Sequence, residues 1–152
     1  MTKNAQKNKP IARLETSKDG YLFDPTCDYW KLNKDVSIGF QKDILSIDKD
    51  TLNGFKKSLS RYAKELSSHH TANMYLRFQR LIRDTQCVLI DTNSILNWRS
   101  MLDSTNEWYL GSLRGFLISW HEFGYDGISS DVVNLLESMT LKCNPRGVAV
   151  RN

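Results

Sequence analysis

The sequence has no apolar run near the roughly 20 residues that cross a bilayer, so a soluble protein without a membrane partner is expected. Its three cysteines, Cys27, Cys87 and Cys143, are widely spaced and form no C-x-x-C pair. That excludes a disulfide framework or a zinc site as the organising element, and the thiols read as buried or incidental. The amino-terminal stretch MTKNAQKNKP is basic but lacks the apolar core of a signal peptide, so a cytoplasmic setting is expected. There is no glycine-rich phosphate loop, no nucleophile elbow and no H-E-x-x-H, which removes the usual support for an NTPase, hydrolase or metalloprotease. His69 and His70 are adjacent and project differently from a helix, and His121 lies far away without a Cys, Asp or Glu set of metal-ligand spacing. No metal, no cofactor and no catalytic residue is expected.

What is present is charge in blocks. The net charge of +4 is modest. Residues 49–83 hold eight basic side chains and two acidic ones, whereas residues 84–141 hold two basic and eight acidic. Residues 19–48 are also acidic, with six carboxylates against three lysines, and the two termini are basic. Segregation of this kind points to a directed electrostatic face, although a solvated helix surface is the plain alternative.

The pattern divides the chain into four parts. Residues 1–10 are polar and Lys-rich, closed by Pro10, and read as a disordered basic tail. Residues 11–47 place short β-favouring runs around the turns SKDG and NKD, which predicts two hairpins in an amino-terminal extension. Residues 48–140 change to a helical period. The first helix, capped by Asp48, carries Leu52, Phe55, Leu59, Tyr62, Ala63 and Leu66 on one stripe. After the interruption SSHH, a second runs from about Thr71 to Asp84 with Met74, Phe78, Leu81 and Ile82 inward. CVLI follows as a buried turn or the end of that helix. A third, capped by Asp91 or Thr92, bears Ile95, Trp98 and Leu102. A fourth opens on the capping box STNE (Ser104, Glu107), carries Leu110, Leu113, Leu117 and Trp120, and stops at Gly124. A fifth is SSDVVNLLESM. The expected fold is mainly α, a compact orthogonal bundle of about five helices after a hairpin-containing extension. Residues 141–152 are irregular and basic.

On these helices the basic residues fall into rows. Lys57, Arg61 and Lys64 repeat at i, i+4, i+7 on the first helix, and Asn73, Arg77 and Arg80 repeat that spacing on the second. The link SSHHT between them offers short donors at a helix start, where backbone amides also favour an anion. Double-stranded DNA is the natural counterpart, since Lys and Arg neutralise phosphates while Ser, Thr, Asn and amides fix register. A helical module that docks an acidic protein and a helix-turn-helix regulator are the alternatives. Trp30, Trp98, Trp108 and Trp120 read as core or surface anchors.

The order of a basic helix, a Ser/His/Thr link, TANMYLRFQRLI, a Trp-bearing helix, YLGSLRGFLISWHEFGYDGIS and LLESMTLKCNPRGVAV resembles the amino-terminal DNA-binding portion of phage-type integrases of the tyrosine recombinase family, over about residues 48–150. The resemblance implies a SAM-like core-binding domain that grips a recombination site while a separate catalytic domain of the same parent chain cuts and rejoins the DNA. Other recombinase protomers would be partners there, and the setting would be a bacterial cytoplasm with nucleoid association. It implies two DNA-facing helices, with His70, Thr71, Asn73, Arg77, Tyr109, Ser112 and Arg114 as contacts beside Lys57, Arg61, Lys64 and Arg80 from the charge rows. The family's catalytic Arg, H-x-x-R and Tyr belong to the further domain, and no H-x-x-R occurs here, so the expectation is that this chain alone does not cleave DNA. Residues 141–152 then read as an interdomain linker in which Lys142, Arg146 and Arg151 run beside the phosphate backbone.

Overall fold

Two short hairpins lead into six helices in the computed structural model, which describes residues 14–141. β1 (Glu15–Thr16) pairs antiparallel with β2 (Leu22–Phe23), and β3 (Tyr29–Lys31) with β4 (Ser37–Gly39). Both turns fall where the polar residues predict them. Gly20 supplies the positive φ of +92° that the first turn requires. In the second, the Asn33 side-chain oxygen accepts the amides of Asp35 and Val36 at 2.8 and 2.7 Å. Alternation along the strands turns Phe23, Trp30 and Ile38 inward.

The helices are α1 (Lys42–Leu45), α2 (Lys49–Glu65), α3 (Ser68–Thr85), α4 (Thr92–Met101), α5 (Trp108–Glu122) and α6 (Ser130–Ser138). The expected five become six because α1 is a single turn of four residues, too short to display a 3.6-residue period, held by buried Ile44. Side-chain oxygens of Asp48, Ser67, Asp91 and Ser129 accept amide hydrogen bonds at the starts of α2, α3, α4 and α6. At Asp91 the cap is reciprocal, with Ser94 Oγ accepting the Asp91 amide.

Several boundaries differ from the sequence expectation. α3 begins three residues early, since Ser67 caps it and His69 and His70 lie in its first turn rather than in a break. The Ser104–Glu107 capping box does not form: Glu107 is itself the N-cap of α5, and a side-chain-bonded turn at Asp103 precedes it. Asp103 Oδ1 accepts the Thr105 amide, Asn106 Oδ1 accepts the Asp103 amide, and α5 starts only at Trp108. CVLI is neither helix nor buried turn. α3 ends at Gln86 in the left-handed region, φ 58°, and Val88 and Leu89 face solvent while only Ile90 is buried. Leu66, placed on the apolar stripe, is the exposed C-cap of α2, and of the two readings of the thiols, buried or incidental, exposed Cys27 fits the second.

Hairpins and helices share one core, so the change at residue 48 is one of secondary structure and not of packing unit. Phe23, Trp30, Leu32, Ile38 and Phe40 from the extension join Phe55, Phe78, Leu81, Trp98, Phe116, Trp120 and Val132 from the helices. Three indoles, Trp30, Trp98 and Trp120, are fully buried, and each N–H has an acceptor: the Cys27 carbonyl, the Asp84 carboxylate and the Asp126 carbonyl. No described helix is long and apolar enough to cross a membrane. Residues 1–10 and the basic linker carrying Lys142, Arg146 and Arg151 lie outside the described residues.

Gly54 is the tightest point. A Cβ there would collide with the Asp126 carbonyl oxygen and stand 2.6 Å from Trp120 Nε1. Only glycine lets the loop after α5 close over α2 and hold the indole. Gly54→Ala is therefore expected to destabilise the protein by about 2 kcal/mol or more, despite alanine's better helix propensity. Urea titration followed by tryptophan fluorescence measures this.

Candidate nucleic-acid interface

The basic block of the sequence meets two fates in the fold. Part of it is consumed by acids brought from the amino-terminal region. Lys56 pairs with Asp28 at 2.6 Å, Lys64 with Glu15 at 3.2 Å, and Arg83 with Asp43 at 2.6 Å. Arg61 is consumed more completely. Its guanidinium donates to Glu65 at 3.0 Å and to Ser119 Oγ at 2.9 Å, lies 4.0 Å from the Phe123 ring centre, and its side chain keeps 14% exposure. It latches the end of α2 to the end of α5 and is not a free surface cation. Of the row predicted on α2, only Lys57 remains exposed without an ion pair among the described residues.

The other part assembles. α3 and α5 pack side by side, which brings residues over thirty positions apart into one patch. The Arg77 guanidinium carbon sits 4.8 Å from the Trp108 ring centre and 4.6 Å from that of Tyr109. Arg80 lies 5.1 Å from the same tyrosine ring, and its Nε donates to Asp84 at 2.9 Å. Asp84 also accepts the Trp98 indole N–H at 2.9 Å, so the rim of the patch is tied to the core. Asn73 is exposed one turn before Arg77. Ser112 is exposed on α5, with its hydroxyl donating to the Tyr109 carbonyl. Burial against the rings lowers the Arg77 pKa, and the Asp84 hydrogen bond raises that of Arg80. Both remain cations at any ordinary pH.

Three predicted contacts lie elsewhere. Thr71 is fully buried and its hydroxyl donates to the Ser67 carbonyl at 3.0 Å, a helix-interior bond rather than a surface group. Arg114 donates to the carbonyls of Leu136 at 3.1 Å and Met139 at 2.7 Å, closing the carboxyl end of α6. His70 is exposed, stacked on Tyr62 at 5.6 Å with rings 9° from parallel, at the opposite end of α3's exposed row from Arg80. Trp108 was not singled out as a site residue. The signal was its phase: Leu110, Leu113 and Leu117 define the buried stripe of α5, and Trp108 and Tyr109 both precede it at the helix start.

A groove of about 710 Å³ lies apart from this patch, between α2 and the loop after β2, lined by Lys49, Asn53, Lys56 and Lys57 but also by Asp50 and Glu15. Its lining mixes three lysines with two carboxylates and includes none of the patch residues. The chain matches no family model, no curated protein and no solved structure.

The pairing that neutralises the basic block has a pH signature. Partial burial pushes the Asp43 carboxyl up, but hydrogen bonds from Arg83, Gln79 and the Ile44 amide outweigh this and hold it below its ordinary value. A carboxylate of lowered pKa stabilises the fold above its unfolded value of about 4, and that contribution is lost as pH falls through the folded value. Asp43→Asn is expected to be less stable than the parent at pH 7, with the gap shrinking below about pH 4. Thermal melts across that range test it; a gap that widens on acidification contradicts it.

Proposed function

We propose that this chain is a double-stranded DNA-binding domain of a site-specific tyrosine recombinase of the phage-integrase type, which positions a separate catalytic domain on the recombination site and does not itself cleave DNA. The observation that carries the reading is the meeting of Arg77 and Arg80 from α3 with Trp108 and Tyr109 from α5, with exposed Asn73 and Ser112 about one turn along their own helices. A cationic helix, α3, beside an aromatic and hydroxyl-bearing helix start, α5, suits a duplex. Arginine neutralises phosphates, while Asn and Ser groups fix register. The resemblance to core-binding domains supplies the recombinase context.

Binding of this kind weakens with salt, because each neutralised phosphate releases counterions. Arg80→Gln is expected to weaken binding across all duplex sequences and to lower the slope of log affinity against log salt by about one. Arg61→Gln, which breaks a latch rather than a contact, is expected to lower thermal stability and leave that slope unchanged. Fluorescence-anisotropy titrations at several salt concentrations separate the two. A wild-type chain that shows no salt-sensitive duplex binding overturns the proposal.

A further inference from the structure

Arg77 differs from the other described arginines in what it leaves free. Arg61, Arg80, Arg83, Arg99 and Arg114 each donate a hydrogen bond to a protein oxygen. Arg77, among the described residues, forms no hydrogen bond or ion pair; its guanidinium is held against two aromatic rings. The side chain is half-buried, so it carries a desolvation cost that a solvated surface cation avoids. Ring contact restricts the stem and plane of the group but uses none of its five N–H donors.

What such an arrangement supplies is orientation more than charge. A phosphate contact needs a positive group within reach, and a flexible lysine or solvated arginine provides it without the desolvation. A guanidinium fixed in plane, with its fork unspent, suits an acceptor pair that lies in a plane of its own. On a duplex that pair is O6 and N7 of guanine, exposed in the major groove. Resting on the duplex-binding reading above, we infer that Arg77 is a specificity-determining residue that reads a guanine edge, and that Trp108 and Tyr109 are positioning residues that hold its fork.

Asn73 extends the inference. It is exposed four residues earlier, about 6 Å along the helix axis, and an asparagine amide matches the N6 and N7 groups of adenine. At about 3.4 Å of duplex axis per base pair, Asn73 and Arg77 address bases no more than about two steps apart. Arg80, whose Nε is occupied by Asp84, is left to a phosphate.

The test is selection by the full chain from a pool of duplexes randomised over the bound segment, at fixed ionic strength, together with salt titrations on the selected sequence. The wild-type chain is expected to enrich guanine at one position by about 10- to 100-fold. Arg77→Lys keeps the charge and loses the fork, so that preference is expected to vanish while the salt slope stays the same. Tyr109→Phe, which keeps the ring, is expected to retain the preference, and Tyr109→Leu to lose it. Circular dichroism melts establish that each variant is folded, and Arg77→Lys with Tyr109→Phe decides the matter if Tyr109→Leu is not. Guanine preference retained in Arg77→Lys, or a flat wild-type profile alongside salt-sensitive binding, overturns the inference and leaves the duplex reading standing. Loss of all salt-sensitive binding by the wild-type chain overturns both.

Discussion

The packing around Phe55 is the constraint on which the rest of the structure depends. Its ring stacks on Phe78 of α3 with centroids 4.0 Å apart and meets Phe116 and Trp120 of α5 at 5.9 and 6.0 Å. On another side it reaches Phe40, which follows β4, and Tyr75, whose hydroxyl accepts the Gln41 amide. One side chain of α2 thus touches the hairpin region and both helices of the candidate interface. Aromatic rings of this size contribute large buried areas and prefer offset or edge contacts, so the cluster specifies relative orientation as well as stability. The angle between α3 and α5 is set there, and with it the distance from Arg77 to Tyr109. Gly54, one residue earlier, keeps the wall clear for Trp120 to reach Asp126.

Charge behaves differently in the fold than along the chain. The sequence separates acids and bases into blocks, and the fold folds one block onto another. Glu15, Asp28 and Asp43, all from the amino-terminal region, reach Lys64, Lys56 and Arg83 on α2 and α3. These pairs are partly exposed and each contributes little to stability. Their larger effect is on the surface field, since they neutralise cations that the linear pattern assigns to a ligand. What survives among the described residues of the block is smaller and better defined: Lys49 and Lys57 on α2, and a patch in which aromatic faces hold one arginine and a carboxylate holds the next.

Features written in local chemistry were legible in the sequence, and features decided by tertiary contact were not. Asp48, Asp91 and Gly124 declare helix ends through short-range hydrogen bonding and a positive φ, and the turns at Gly20 and Asn33 declare the hairpins in the same way. The stripe Phe55, Leu59, Ala63 and the stripe Leu110, Leu113, Leu117 were visible as period. α1 was hidden because one turn has no period. The motif at Ser104 and Glu107 misleads because the neighbouring Asp103 and Asn106 bond the stretch into a turn, which delays the start of α5 to Trp108. At the interface, spacing placed Asn73, Arg77 and Arg80 on one row. Spacing is blind to partners on other helices, so it gives Arg61 the same standing although Ser119 engages it; the resemblance does the same for Arg114, which Leu136 and Met139 hold, and neither singles out Trp108.

The four tryptophans offer the most direct measurement. Trp30, Trp98 and Trp120 are sealed in the core with their N–H groups bonded, whereas Trp108 stands at the patch beside Arg77. In a proton–nitrogen correlation spectrum each gives its own indole resonance. On titration with duplex DNA at low salt, the Trp108 indole and the backbone amides of Asn73 to Arg80 and Trp108 to Ser112 are expected to shift, while the other three indoles stay in place. Shifts confined to the Arg61–Phe123 end or to Val88 and Leu89, with Trp108 unmoved, would contradict the placement of the interface.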